Sequence, residues 1–159
     1  MNENNLEKII NNIVGDAIVK EVMSLKLAVK LIETVEEKAA EMGLAVVVAV
    51  SDASGRPIAV HCMDGAYHGS FDVAVNKTYT STAFQMSTVK LSRLCQPGQD
   101  LYGLQFSNDG KVMILGGGEP LMVGKTMIGA LGVSGGSAQE DTDLAAYGAS
   151  ALKEVIKCL

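Results

Sequence analysis

Two histidines, one lysine set among apolar neighbours and three scattered cysteines are the residues with chemistry to offer. His68 stands in Asp64-Gly65-Ala66-Tyr67-His68-Gly69, a loop ahead of a helix, where a ring nitrogen can bind a metal or exchange a proton. His61 alternates with Ala59 and Met63 along a strand pattern, where a histidine more often packs and hydrogen-bonds than ligates. Lys77 falls in mid-helix. If buried it needs a carboxylate, which Asp64 or Glu119 would supply; a solvated lysine on an open face is the alternative. Gly117, Gly118, Gly135 and Gly136 would let backbone amides approach a ligand, and Ser137 opens a helix whose N-terminus favours an anion such as a carboxylate or propionate. Turn geometry alone is the other reading of those glycines. With Asp64, Glu119 and Ser134 beside them, they make a candidate ligand-binding set.

Familiar catalytic templates do not fit. Ser134 lies in Gly132-Val133-Ser134-Gly135, so the spacing of a nucleophile elbow is missing. There is no His-Glu-x-x-His, and two histidines cannot build a three-histidine zinc site. Cys62, Cys95 and Cys158 form no Cys-x-x-Cys pair and read as reduced thiols, at least two of them packed as small hydrophobes. Cys95, before Gln96-Pro97-Gly98, is the candidate exposed thiol, without a cysteine-protease signature around it. The stretch Gly118 to Thr126 looks like a phosphate-binding loop, but the glycines are one residue too far apart and the chain continues as strand.

The elements that must hold these residues follow from pattern. Ser24 caps a helix over Leu25 to Met42, with Leu27, Ala28, Leu31, Ile32, Val35 and Ala39 on its buried stripe and Gly43 at its end. Ala45 to Ser51 is apolar on both faces and reads as a strand covered on both sides. Asp52 to Gly55 turns it into a second strand, Arg56 to Met63. Ser70 reads as the N-cap of a helix to about Gln85, with Phe71, Ala74, Val75 and Thr78 inward. A short helix follows over Thr88 to Leu94, then a third strand over Lys111 to Leu115. Glu119 to Val123 and Thr126 to Val133 form a hairpin around Gly124-Lys125. Ser137-Ala138-Gln139-Glu140 is a capping box opening a final helix striped by Leu144, Gly148, Ala151, Leu152, Val155 and Ile156. Strands joined by tight turns run antiparallel, so the class is α+β.

Residues 1–23 read as an amphipathic extension to the domain at 24–159. Leu6, Ile9, Ile10, Ile13, Val14, Ala17 and Ile18 share one helical face. The stripe is not basic, which argues against a membrane-surface helix, and it suits either a groove in a partner or packing on its own oligomer. The longest apolar run, Leu44 to Val50, is too short to span a bilayer, and no secretory signal is legible, so the cytoplasm is expected. The chain of 159 residues is 48% hydrophobic and only 19% charged, which points to surface hidden in a homo-oligomer. A net charge of −5 and 4% aromatics with no Trp oppose nucleic-acid binding.

Five runs in register carry a family resemblance: Val48-Ala49-Val50-Ser51-Asp52-Ala53-Ser54-Gly55; Met63-Asp64-Gly65-Ala66; Asp72 to Thr80, with Asn76-Lys77 at its centre; Gly116-Gly117-Gly118-Glu119-Pro120-Leu121; and Gly129 to Gly136 followed by Gln139-Glu140-Asp141. Together they resemble the GlcG/HbpS-like family, which includes the C-terminal domain of PduO proteins. The resemblance runs from about Leu25 to the C-terminus. It implies a profilin-like fold with a five-stranded antiparallel sheet flanked by helices, and homo-oligomers, often octamers built from dimers. It also implies haem binding in several members, and a setting in glycolate-utilisation operons or beside corrinoid chemistry in a bacterial microcompartment. The polar opening and stripe of residues 1–23 resemble encapsulation helices that dock on a shell or cargo protein.

Haem binding needs an axial ligand, and the ligand in haem-binding members is a histidine near the N-terminal side of the domain; here no histidine precedes His61. His68 is then the first candidate for the iron and His61 the second. The expected function is a ligand-binding accessory protein for haem or another tetrapyrrole, in a cleft lined by Gly116–Glu119 and Ser134–Ser137. An enzyme acting on a small hydroxy- or oxo-acid, with Lys77 and His68 as acid–base groups, is the second expectation. A targeting module without a ligand is the third.

Overall fold

The fold is taken from a computed structural model, which describes residues 22–159. The extension therefore lies outside the described residues, apart from Val22 and Met23. Helix α1, Leu25–Glu41, starts where Ser24 accepts a hydrogen bond from the Leu27 N–H, and buries Leu27, Ala28, Leu31, Ile32, Val35 and Ala39. Strands β1 (Val47–Asp52) and β2 (Pro57–Cys62) follow, then helices α2 (Ser70–Phe84) and α3 (Thr88–Leu94). Two 3-10 turns, Leu104–Phe106 and Asn108–Gly110, lead to β3 (Gly118–Val123), β4 (Thr126–Ser134) and the last helix, α4 (Ala138–Lys157).

The sheet is antiparallel, in the order β2-β1-β4-β3. Alternation along the strands sorts the core into two layers. Val46, Val48, Val50, Leu121, Leu131 and Val133 face α1 and α4, while Val47 and Ala49 face Ala74 of α2. Helix α2 lies very close to the sheet. A Cβ on Gly132 would run into the carbonyl oxygen of Ala74, and one on Gly118 would come within 2.9 Å of the Lys77 carbonyl oxygen. Small residues on the strand let the helix backbone approach.

Among the described residues four strands form, not five. The segment over Lys111 to Leu115 joins no sheet, because a side chain takes its hydrogen bonds. Thr80 Oγ1 accepts from the Met113 N–H at 2.8 Å, and Val112 buries itself with Leu91 and Cys95 instead of beside a strand. The sheet edges carry Pro57 and Pro120, which blunt further pairing. At α2 the cap is Gly69, with Ser70 already helical and buried, its hydroxyl accepting from Ser134 at 3.2 Å. Phe71, expected inside, is 44% exposed, because the inner face runs through Ala74, Lys77, Thr78 and Ser81. The cysteines also differ from expectation: Cys95 is the buried one, and Cys62 and Cys158 are exposed.

Candidate functional site

The two glycine clusters meet. Gly118 stands opposite Gly132 in the β3–β4 ladder, and the Val133 N–H donates to the Gly117 carbonyl at 2.8 Å. What fills the meeting point is the ammonium of Lys77. It is 1% exposed, donating to the Val133 carbonyl at 2.6 Å and to the Asp141 carboxylate at 2.8 Å. Lys77 rises from α2 on one side of the sheet and Asp141 from the first turn of α4 on the other, so the pair links the two layers past the strand ends. Gly117 makes room for it. At φ +107 it adopts a backbone that side chains rarely enter, and a Cβ there would sit 2.8 Å from Lys77 Nζ and 2.6 Å from the Val133 oxygen.

The anchor for Lys77 is therefore Asp141, in place of Asp64 or Glu119. Asp64 is exposed on its loop. Glu119 sits on β3 facing the α4 layer, half-buried and without a hydrogen bond or ion pair among the described residues; burial pushes its carboxyl above the usual range. Burial likewise pulls the Lys77 ammonium below the ordinary lysine value, against the opposing pull of Asp141.

The helix N-terminus expected to receive a ligand anion already holds two of the chain's own. Ser137 Oγ accepts from the Glu140 N–H, the Glu140 carboxylate accepts from the Ser137 N–H at 2.7 Å, and Asp141 Oδ1 accepts from the Gly136 N–H at 2.9 Å. Those bonds hold the Glu140 carboxyl below its usual range. Gly116 is equally closed, since a Cβ there would meet Thr142 and the Ala138 carbonyl. Gly117 and Gly136 thus border an internal ion pair, whereas Gly118 backs onto α2, Gly135 packs on Ala45 and Val46, Ser134 bonds Ser70 and Ser137 caps α4.

The histidines lie elsewhere. His61 is on edge strand β2, its Nδ1 3.2 Å from both oxygens of Glu36 on α1, with about a third of the side chain exposed. A carboxylate behind one ring nitrogen is how proteins orient a histidine whose other nitrogen ligates. His68 is exposed on its loop between Tyr67, 74% exposed, and Phe71, and no hydrogen bond joins it to Lys77. Sequence reasoning missed Asp141 and Glu36. Asp141 had a signal: one turn ahead of Leu144, Ala145 and Gly148, it places an acid on the apolar stripe of α4. Among the described residues no three metal-ligating side chains cluster, and no helix is long and apolar enough to cross a membrane.

Residues 23–150 match the model of the HbpS-like family, described as haem degrading protein HbpS-like. An uncharacterized protein of Citrobacter freundii, from the dhaT-dhaS intergenic region, is 39% identical over 77% of this chain and 87% of its own length. Corrinoid adenosyltransferase PduO of Salmonella typhimurium is 39% identical over 69% of this chain, but the match spans only 32% of PduO. Among solved structures, protein ORFY of Klebsiella pneumoniae superposes with a TM-score of 0.80 at 36% identity, covering 82% of this chain and 90% of that one. A PduOC:haem complex gives a TM-score of 0.78 at 35% identity, covering 82% of this chain and 94% of that one.

Proposed function

The chain belongs to the HbpS-like family, and from that premise we propose that it is an accessory protein that binds haem or another tetrapyrrole. In this reading it works as a homo-oligomer, an octamer built from dimers, in the cytoplasm and within a microcompartment pathway of the diol or corrinoid type. The observation that carries the reading is the likeness, at a TM-score of 0.78 and over 94% of that chain, to PduOC in its haem complex. PduO as a whole is named for adenosyl transfer, and the stretch matched here is 32% of it, so that activity is not carried over.

The residues present fit a tetrapyrrole at the loop better than at the glycine clusters. A macrocycle has no room where a single added carbon at Gly117 already meets three atoms. His68 is exposed, and the faces of Tyr67 and Phe71 beside it offer apolar surface to a flat ligand. His61, oriented by Glu36, is the second axial candidate. Haem, when bound, supplies a redox-active iron whose electronics the axial ligand tunes. The chain's part is to present the imidazole and shield one face of the ring. An acid–base enzyme using Lys77 and His68 draws no support from the geometry, because Lys77 is buried and already held by Asp141 and the Val133 carbonyl.

Titrating the purified full chain with haemin and following the Soret band tests the proposal. The expected result is a saturable shift that His68→Ala weakens by at least about tenfold in Kd, roughly 1.4 kcal/mol. An unsaturable response, equal in a protein without ligand sites, would defeat it. Loss in His61→Ala alone would move the iron to the strand.

A further inference from the structure

Residues 86–116 connect α2 to β3 and build a small core of their own. Leu91, Cys95 and Val112 are buried against one another with Leu101, Leu104 and Ile114 around them, apart from the core between the sheet and helices α1 and α4. The segment enters no sheet. Among the described residues no ion pair and no backbone-to-backbone hydrogen bond ties it to the rest. Side chains do. Thr80 of α2 accepts from the Met113 N–H at 2.8 Å, its hydroxyl lying 3.4 Å from the Lys111 carbonyl, and Asn108 donates to the Tyr79 hydroxyl at 2.8 Å. Thr88 accepts from the Gly118 N–H at 2.9 Å. Both ends of the segment turn through left-handed backbone, Gln85 at φ +52 and Gly117 at φ +107. The packed arrangement also leaves two buried polar atoms without a partner: Ser81 Oγ, where α2 meets Thr88 and Gly118, and Gln105 Oε1 inside the segment. Water relieves both penalties once the segment lifts.

We propose that residues 86–116 form a strap that comes off α2 and opens as one unit, between Gln85 and Gly117, while the sheet, α1 and α4 stay folded. The shared core makes it one unit. Leu91 and Cys95 come from its first half and Val112 from its second, so neither half can leave without exposing apolar side chains of the other. The separateness of that core lets the strap go, because the larger core keeps its own contacts when the strap leaves. No ladder has to be unzipped first, and the bonds at Thr80, Tyr79 and Gly118 break together. The open form bares the face of α2 that carries Thr80 and Ser81, one turn past Lys77, and frees the Cys95 thiol. Closed, the strap seals both. The inference is independent of the tetrapyrrole reading.

Cys95, 1% exposed, reports the opening. In the full chain with Cys62→Ser and Cys158→Ser it is the sole thiol, and its alkylation by iodoacetamide is followed by mass. The strap is about a quarter of residues 22–159, so the alkylation rate should rise with urea about a quarter as steeply as global unfolding does. Thr80→Val cuts a tether and should speed alkylation roughly tenfold, with hydrogen exchange of the Leu91, Cys95 and Met113 amides rising by the same factor. Ser24→Ala weakens α1 by removing its cap and should leave both rates as they were. Alkylation with the full urea slope of global unfolding, or a rise in Ser24→Ala equal to that in Thr80→Val, would overturn the proposal. So would faster exchange at Met113 alone, which would make the Thr80 bond a local fray and not the clasp of a strap.

Discussion

Lys77 and Asp141, 64 residues apart in the chain, meet at 2.8 Å with side chains 1% and 6% exposed. Around them Val133 contributes a carbonyl to the ammonium and Gly136 an N–H to the carboxylate. Two charges are tolerated out of water here because each is paired and further hydrogen-bonded. The pair ties α2 to α4 across the ends of the strands, and the glycines keep its space clear.

Breaking the pair should be costly. Lys77→Met leaves Asp141 buried with only the Gly136 N–H, and Asp141→Asn leaves the ammonium without its counter-charge; each should lower stability by about 3–5 kcal/mol. The double variant should cost clearly less than the sum, because neither partner is then left charged alone. Urea unfolding of the four proteins measures the coupling, and strict additivity would deny it.

Gly117→Ala forces a Cβ onto the Lys77 ammonium and the Val133 oxygen at a backbone angle of +107°. A loss of about 2–4 kcal/mol is expected, strain and overpacking combined. Gly69→Ala meets nothing within 4 Å and should stay within about 0.5 kcal/mol of wild type. Thermal unfolding of the two variants side by side shows the contrast.

Glu119 titrates above the usual carboxylate range because burial disfavours its charged form. The folded chain therefore holds this proton more tightly than the unfolded one. Its contribution is fully present below about pH 4 and is lost as pH rises through the elevated value. Glu119→Gln removes that ionisation, so the variant should be more stable than wild type at pH 7 and no more stable at about pH 4. Urea midpoints at the two pH values decide it; a gain of equal size at both would mean that charge is not the cause.

Thr80→Val deletes the hydroxyl that accepts from Met113 N–H. The expected cost is about 1–2 kcal/mol, with faster exchange of the Met113 amide. Unchanged exchange at Met113 would show that something other than Thr80 keeps residues 111–115 off the sheet.

Much of the scaffold is legible in local pattern. The buried stripe of α1, the short helix Thr88–Leu94, the capping box at Ser137 and the hairpin at Gly124-Lys125 all rest on contacts within a few residues, where periodicity and cap chemistry suffice. Phe71 was misplaced because the face of α2 that turns inward is chosen by glycines on β3 and β4, not by hydrophobicity within the helix. The strand pattern at Lys111 to Leu115 failed for a related reason: a strand needs a neighbour, and Thr80 took the backbone bond first.

By itself the sequence determined the antiparallel α+β class, the family likeness and the residue types that any site must use, since those follow from side-chain period, turn residues and short motifs. Only the tertiary structure decided that Asp141 is the partner of Lys77, that Glu36 stands behind His61, and that Gly117 and Gly136 border an ion pair. A charge selects its partner by distance and dielectric in three dimensions; the place of Asp141 on the apolar stripe of α4 singles it out among 18 acidic residues as an inward-facing one, but does not pair it with Lys77.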